Sequence, residues 1–561
     1  MKQLISEIIQ KALEKLNVKL KKEEIEKFIE IPPSAEMGDY AFPCFFLAEK
    51  LKQNPHQIAI ELREKIGSSK ITENFQDIQT RGPYLNFFLD RKVLAINTVN
   101  KILNQKENFG KLNLGNGKKA LIEHTSINPN ASPHVGRARN AIIGDSLVKL
   151  LTFVGYKPEV HYYVNDVSKQ IAMLVLADAE KSNFESMLKK YVFIAAKVKK
   201  SKKAEQQVFA LLHAFEQGDK NIVSKFNKIT STCVKGQKKI LAQLGIYYDF
   251  FDYESKYMNE TKNILNELQK TGKLFKDEDG RLVLNQEGTS VENQMKAPFL
   301  VLTRNDGTGL YPLRDIAYTI DKLKIAEKNI IVLGEDQKLY FQQIKEALKL
   351  LKYNSPEVVH YSFILLNEKG KSKKMSTRKG EVVLLEDFLY DAIKKAKREI
   401  TKRKTKGDAK KVGVGAVKYS ILKNNNNKII NFNLDEALNF EGDTGPYLLY
   451  SYARASSIIK KAKANHAKKD FLSNEIELKE IDLIKKLSQF PEIVLKSYNN
   501  LNPSIIANYS YHLAQNFNEF YHSCPVIGSE KEIFRLNLVE AFRIVLKSSL
   551  SLLGIETIEK M

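Results

Sequence analysis

Residues 120–164 decide the fold, beginning with ALIEHTS (120–126) and HVGR (134–137) and ending with EVHYYV (159–164). The first and last of these segments are strand-like, and residues 138–154 between them carry apolar side chains at helical spacing. Strand, helix and strand in this order predict two parallel strands joined by a right-handed crossover. The polar residues that follow the first strand lie where open α/β sheets bind their ligands.

The alternation of strands and helices continues further along the chain. Strand-like runs at 299–303 and 329–333 flank a helix-like run at 315–326, and an interruption at about 171–270 has helical character. We therefore predict the α/β class, with a Rossmann-like parallel-sheet domain at 113–395 and a helical insertion in it.

Two further domains are predicted outside the alternating region. Residues 1–112 combine helical patterns with a strand-like run at 84–89, which predicts an N-terminal α+β domain. Strand signals fade beyond about residue 400, and helical periodicity at 480–487 and 505–521 predicts that residues 396–561 form an α-helical bundle.

The composition indicates a partner that carries many phosphates. Lysine and arginine outnumber aspartate and glutamate by 89 to 66, which gives a net charge of +23 and favours nucleic-acid binding, although a solvated basic surface is the plainer alternative. Three widely spaced cysteines argue against a disulfide framework and a cysteine-based metal site. Because there is neither a secretory signal nor an apolar run of about 18 residues, we expect a cytoplasmic protein without membrane association.

The HVGR segment has the features of a phosphate-binding turn. A strand-to-helix turn presents free backbone N–H groups and the positive end of a helix dipole. Gly136 allows close approach of a ligand, His134 can donate to it, and Arg137 can grip phosphate with its fork of donors. A helix-capping or buried structural histidine is the alternative for His134.

The second basic segment is KMSTRKG (374–380), which follows the strand-like run 363–366. Such a cationic loop can close on a triphosphate and stabilise the charge that develops during α–β phosphate cleavage. Its alternative is a solvated loop.

An acidic pocket for a cation is predicted from four residues. Tyr311 and Asp315 are four positions apart at the start of a predicted helix, so they share one face. Glu123 and Gln337 converge with them if all the strands belong to one sheet. Two carboxylates and a phenol suit a planar cation. Spacing alone favours a plainer alternative, in which Asp315 pairs with a basic residue of its own helix.

Taken together, these segments resemble the class I aminoacyl-tRNA synthetases, and specifically the arginyl-tRNA synthetases. HVGR resembles the family's HIGH segment, KMSTRKG its KMSKS loop, and residues 311–315 its arginine-binding helix. Residues 82–89 and 445–450 resemble its N-terminal tRNA-binding and C-terminal anticodon-binding domains. The resemblance implies a ligase that joins L-arginine to tRNA(Arg) through an arginyl-adenylate, with ATP as a substrate and Mg²⁺ alongside it. We expect the protein to be a monomer.

The resemblance also implies a set of site residues. Those for arginine are Glu123, Ser126, Asn128, Tyr311, Asp315 and Gln337. Those for ATP are His134, Gly136, Asn140, Met375 and Lys379. Those for catalysis are His134, Arg137, Lys374, Ser376 and Arg378. Those for tRNA are Tyr84, Asn86, Tyr447, Tyr450 and Met561. No residue is expected to bind a resident metal ion.

One position departs from the family's pattern, because Arg137 stands where the family has histidine. Arginine keeps a positive donor but does not shuttle a proton. Three alternatives therefore accompany the interpretation: a non-catalytic tRNA-binding paralogue, a class I synthetase for another amino acid, and a small-molecule nucleotidyltransferase.

Overall fold

The computed structural model describes residues 1–67, 74–368, 371–374, 383–462 and 475–561, with the backbone alone at residues 35, 366–368 and 371–374. These residues divide into two units. The first comprises Met1–Phe109, Ile458–Gln489 and Gln515–Ile544, and the second comprises Gly110–Ser457, Phe490–Ala514 and Val545–Met561. In the part of the chain so described, none of the helices has the length and apolar character that crossing a membrane requires.

The strands are, in chain order, β1 (Tyr40–Pro43), β2 (Phe75–Arg81), β3 (Tyr84–Leu89), β4 (Lys119–Glu123), β5 (Lys157–Val164), β6 (Phe250–Tyr253), β7 (Leu274–Lys276), β8 (Leu282–Asn285), β9 (Phe299–Val301), β10 (Lys328–Gly334), β11 (Glu357–Tyr361), β12 (Ile364–Glu368), β13 (Lys371–Lys374) and β14 (Ile430–Phe432). The α-helices are α1 (Lys2–Glu14), α2 (Lys22–Phe28), α3 (Ala48–Leu51), α4 (Pro55–Ile66), α5 (Arg91–Gln105), α6 (Val135–Phe153), α7 (Lys169–Leu176), α8 (Phe184–Lys200), α9 (Lys202–Glu216), α10 (Lys220–Gln243), α11 (Thr261–Gln269), α12 (Tyr311–Ile325), α13 (Lys338–Leu350), α14 (Leu385–Lys402), α15 (Ala409–Leu422), α16 (Leu434–Ala437), α17 (Gly445–Lys461), α18 (Leu478–Ser488), α19 (Phe490–Asn499), α20 (Ser504–Ser523) and α21 (Glu532–Leu552).

The first unit contains a small antiparallel sheet in the order β1-β3-β2. Gly82 and Pro83 form the turn between β2 and β3, where glycine supplies the positive φ of 56°. The strand predicted at 84–89 is confirmed as β3, and its Leu85 and Phe87 are fully buried.

The second unit is organised around a five-stranded parallel sheet in the order β11-β10-β4-β5-β6. Strand β4 reads Lys-Ala-Leu-Ile-Glu, and all of it beyond Lys119 is buried, as expected for the centre of a sheet covered on both faces. The chain goes from β4 to β5 on one side and returns to β10 on the other. The strand order therefore reverses at β4, which is where such sheets bind ligands at their carboxyl edge.

Two strand predictions need correction. The helical interruption predicted at about 171–270 ends with α10 at Gln243, and β6 follows it and pairs with β5. The run Phe-Phe-Asp-Tyr of β6 is too short to show a period of its own, so its pairing with β5 defines it as a strand. The strand predicted at 299–303 forms as β9, but it pairs antiparallel with β8 in a separate sheet. A strand pattern does not specify the partner strand.

Candidate active site

The first basic segment opens helix α6. His134 is the N-cap of the helix, and Gly136 and the exposed Arg137 lie in its first turn. Burial, with the nearby charge of Arg137 second, lowers the pKa of His134 to about 4. His134 is therefore uncharged at neutral pH. Its Nδ1 is buried and has no hydrogen-bond partner among the described residues, so it is available to a ligand.

The residues that follow the second basic segment are bonded to the first. Lys374 ends β13, whereas Met375, Ser376, Arg378 and Lys379 lie outside the described residues. The N–H of Val135 donates to the carbonyl of Val383 at 3.1 Å, and the N–H of Leu385 donates to the carbonyl of Pro133 at 2.8 Å. The chain leaving the second segment is thus held against the turn that carries the first.

Glu123 occupies the carboxyl end of β4, and its side chain is 5% exposed. Its Oε2 accepts a hydrogen bond from the ammonium of Lys322 on α12, and its Oε1 lies 3.4 Å from the hydroxyl of Ser126. Thr125 and Ser126 both have positive φ angles, of 79° and 41°. Such angles are uncommon for residues other than glycine, and they mark the turn beside Glu123 as strained.

Asp315 supplies the second carboxylate. It lies one turn beyond Tyr311 on α12 and accepts a hydrogen bond from the hydroxyl of Tyr340. Burial, with the charge of Glu123 as a smaller contribution, raises the pKa of Asp315 to about 6, and the hydrogen bond from Tyr340 opposes the rise. Tyr311 is 51% exposed, and its ring lies 5.1 Å from that of Tyr340.

The basic residues of α12 are paired with other acids. Arg314 donates from Nε to Glu254 at 2.6 Å, with both side chains buried, and Lys322 binds Glu123. Among the described residues, the ion pairs of Arg314 and Lys322 are thus with Glu254 and Glu123 and not with Asp315, although the charge of Arg314 acts to lower the pKa of Asp315. The surroundings of Asp315 are acidic and rich in tyrosine.

Two other residues predicted for arginine lie nearby in the fold. Asn128 follows β4, and its backbone carbonyl accepts from the amide of Gln237 at 3.0 Å. Gln337 is exposed immediately before α13, after β10, which is the strand paired with β4. Glu123 and Asp315 interact electrostatically, whereas Asn128 and Gln337 are placed by their strands alone.

Asn140 is engaged with the protein through both ends of its amide. Its Oδ1 accepts from the N–H of Thr125 at 2.5 Å, and its Nδ2 donates to the carbonyl of Val332 at 2.8 Å. The side chain thus ties the ends of β4 and β10 to helix α6, at the point where the strand order reverses.

Sequence reasoning did not select Arg139, which is fully buried on α6. Its guanidinium donates at 2.7 to 3.4 Å to five backbone carbonyls, those of Ser362, Phe363, Asn425, Asn426 and Lys428. Burial lowers the pKa of Arg139 to about 10, so it remains charged at neutral pH. The signal in the sequence that could have found it is its position on an apolar helical face, because apolar residues follow Arg139 three and four positions later.

The residues predicted to contact tRNA differ in exposure. In the first unit, Tyr84 is half-buried and Asn86 is only 3% exposed in the central strand β3. In the second unit, Tyr447 and Tyr450 are half-buried on α17, and Met561 is half-buried at the end of the chain. Of these side chains, that of Asn86 is the least accessible.

Three family profiles match successive parts of the chain. The arginyl-tRNA synthetase N-terminal domain matches residues 3–89, the class I (R) tRNA synthetase catalytic domain matches residues 98–435, and the DALR anticodon-binding domain matches residues 448–561. Profiles in this order are those of a class I aminoacyl-tRNA synthetase.

Similar full-length proteins narrow the assignment. The arginine–tRNA ligase of Methanocaldococcus jannaschii is 37% identical with 95% of each chain covered, and that of Methanococcus aeolicus is 36% identical with both chains fully covered. The arginyl-tRNA synthetase structure of Thermus thermophilus superposes over both full chains with a TM-score of 0.80 at 25% identity. The chain belongs to the arginyl-tRNA synthetase family. The predicted family, fold class and enzyme class are confirmed.

Proposed function

We propose that this chain attaches L-arginine to tRNA(Arg) in two steps. The carboxylate of arginine attacks the α-phosphate of ATP, so that pyrophosphate leaves and arginyl-adenylate forms. A ribose hydroxyl of the terminal adenosine of tRNA then takes the arginyl group, and AMP leaves. Neither step needs a protein nucleophile, because positioning and charge stabilisation are sufficient. The observation that carries the proposal is the pair of carboxylates, Glu123 and Asp315, at the carboxyl edge of the parallel sheet.

In this proposal the acidic pocket holds the arginine substrate. Asp315 and the Oε1 of Glu123 pair with the guanidinium, which Tyr311 covers at the open side. Asn128 and Gln337 face the amino and carboxylate groups of arginine, and Ser126 is a further arginine-binding residue. A planar guanidinium with several fixed donors suits two carboxylates better than a compact ammonium does.

The ATP site in this proposal lies over the start of α6. His134 acts as an uncharged hydrogen-bonding group, the backbone at Gly136 approaches the phosphates, and Arg137 supplies positive charge. Mg²⁺ enters with ATP as part of the substrate. Lys374, Met375, Ser376, Arg378 and Lys379 of the second basic segment are assigned to ATP binding and catalysis. Asn140 contributes by fixing the strand ends around the nucleotide.

The tRNA elbow is assigned to the first unit, at Tyr84 and Asn86, and the anticodon to Tyr447, Tyr450 and Met561. We further propose that the protein acts as a cytoplasmic monomer. The domain boundaries predicted from the sequence, 1–112, 113–395 and 396–561, remain part of this proposal.

Charging of total tRNA with each of the twenty labelled amino acids tests the function. Arginine alone should give acid-precipitable aminoacyl-tRNA, and the product should require both ATP and Mg²⁺. A non-catalytic paralogue would instead bind tRNA with a steep salt dependence and form no product. Charging with a different amino acid would reject the arginine pocket.

Arg137→Ala is expected to lower the rate of ATP–pyrophosphate exchange, measured with tRNA present, by about 10- to 100-fold, because a charge that faces the reacting phosphates is lost. Arg137→Lys should retain part of the rate. The matched control is Arg398→Ala, which removes an exposed arginine from α14. Exchange by Arg137→Ala at the wild-type rate would exclude a role for this side chain.

The KM for arginine is expected to rise as the pH falls through about 6. The pKa of Asp315 is raised to about 6 from its usual 3.8, so acid protonates the carboxylate that pairs with the guanidinium. Below that pH the KM should increase about tenfold per pH unit. The same raised pKa affects stability in the opposite direction. The contribution of Asp315 to the free energy of unfolding is fully present below the usual pKa of 3.8 and is lost as the pH rises through about 6. An arginine KM that is constant between about pH 5 and 8 would contradict this assignment.

A further inference from the structure

A buried ammonium group forms part of the wall of the acidic pocket. The side chain of Lys322 is 1% exposed, and its Nζ donates to Oε2 of Glu123. The same nitrogen lies 4.3 Å from the centre of the Tyr318 ring, which adds a cation–π contact. A cation is thus built into a site whose proposed ligand is itself a cation.

Lys322 shares a helical face with the second carboxylate of the pocket. It lies on α12 seven residues, or about two turns, after Asp315, so that the two side chains project from the same side of the helix. Lys322 takes only one oxygen of Glu123, and the other faces Ser126. The pair therefore fixes one carboxylate oxygen, whereas the other has the longer 3.4 Å contact with Ser126 and is the oxygen assigned above to the guanidinium.

The remaining charged groups around the pocket are paired among themselves. Arg314 binds Glu254 at 2.6 Å, and Asp252 accepts hydrogen bonds from Nδ1 of His161 at 2.6 Å and from the hydroxyl of Tyr318 at 2.8 Å. The titratable groups that interact electrostatically with Glu123 or Asp315 include Tyr163 on β5, Glu254 and Tyr257 after β6, Tyr311, Arg314 and Tyr318 on α12, and Tyr340 on α13.

We propose that Lys322 is a specificity-determining positioning residue that sets the charge of the arginine pocket. Glu123, Asp315 and Lys322 together carry one net negative charge, which a monocationic guanidinium neutralises. An uncharged isostere would leave a buried carboxylate without a counter-charge, a costly state in a low-dielectric site. This inference rests on the proposed function, because it assumes that the pocket holds arginine.

The test is a suppression experiment on the arginine KM of the charging reaction. Glu123→Gln leaves Asp315 and Lys322, a pocket with no net charge, and should raise the KM about 100-fold, because a ligand contact is lost and the guanidinium now faces an unneutralised ammonium. Adding Lys322→Met to this variant removes that ammonium. The double variant should then bind arginine about tenfold more tightly than the single variant, with a KM still above that of the wild type.

The double variant also removes both members of the buried pair, a change that proteins often tolerate better than the loss of one partner. If it does not fold, Glu123→Gln combined with Lys322→Gln makes the same charge change with polar side chains. Lys324→Met, which removes an exposed lysine from the same helix, is the matched control and should not relieve the Glu123→Gln defect. Inhibition by L-citrulline, the uncharged isostere of arginine, gives a second readout. The ratio of the citrulline inhibition constant to the arginine KM should fall in Glu123→Gln and rise again in the double variant.

The outcomes separate the two ideas. If the wild-type protein does not charge tRNA with arginine, the proposed function fails. If the wild type does charge it, but Lys322→Met brings no improvement over Glu123→Gln alone, Lys322 has only a structural role and the inference fails by itself.

Discussion

Asp315→Asn is expected to lower kcat/KM for arginine by about 10²–10³-fold. The substitution keeps the size of the side chain and an acceptor for the hydroxyl of Tyr340, but it removes the charge that pairs with the guanidinium. Loss of one partner from a buried, hydrogen-bonded charge pair typically costs about 3–5 kcal/mol, and about 1.4 kcal/mol corresponds to a factor of ten. The KM for ATP should change by less than about twofold. Steady-state charging kinetics with each substrate varied in turn measure both effects.

The control for Asp315→Asn is Glu327→Gln, which neutralises an exposed acid just after the same helix. It should leave both KM values unchanged. Tyr340→Phe should have a smaller effect than Asp315→Asn, because it removes a neutral donor to the carboxylate and leaves the charge in place. A normal arginine KM in Asp315→Asn would mean that the guanidinium binds elsewhere.

Arg139→Met is expected to destabilise the second unit by about 3–5 kcal/mol, through the loss of a buried charge-assisted hydrogen-bond network. Methionine fills a similar volume but leaves the carbonyls of Ser362, Phe363, Asn425, Asn426 and Lys428 without their donor. Thermal unfolding followed by circular dichroism should show an earlier transition, and Arg139→Lys should recover part of the difference.

Arg137 provides the internal control for Arg139, because it lies two residues earlier on the same helix and is exposed. Arg137→Met should leave the unfolding temperature within about a degree of the wild type, since surface substitutions away from special contacts usually change stability by less than about 0.5 kcal/mol. Equal unfolding temperatures for Arg139→Met and Arg137→Met would show that the carbonyl network contributes nothing measurable.

The sequence predicted the parts of the fold that depend on local pattern. The strand, helix and strand of residues 120–164 follow from apolar periodicity, and they appear as β4, α6 and β5. Strand β6 could not be predicted in this way, because four residues show no period and its identity comes from pairing with β5. Strand β9 was predicted, but its partner was missed because a strand pattern does not specify which strand it pairs with.

The sequence predicted which residues form the candidate site better than it predicted which of them pair with each other. Glu123, Tyr311 and Asp315 were selected from spacing and resemblance, but the ion pair between Glu123 and Lys322 joins positions 199 residues apart, and nothing local indicates it. Arg139 was missed because its acceptors are backbone carbonyls. Every residue has a backbone carbonyl, so composition and spacing carry no trace of such a contact.

The network around Arg139 also bears on how this region can diverge among relatives. Its guanidinium binds the main chain of the asparagine-rich turn at residues 425–428 and does not bind the asparagine side chains. Among relatives, we therefore expect the backbone conformation at these positions to be conserved more strictly than the residue types. Substitutions that preserve the backbone conformation of the turn should keep the contact. An insertion or a deletion in the turn should break it, even when every remaining residue is conserved.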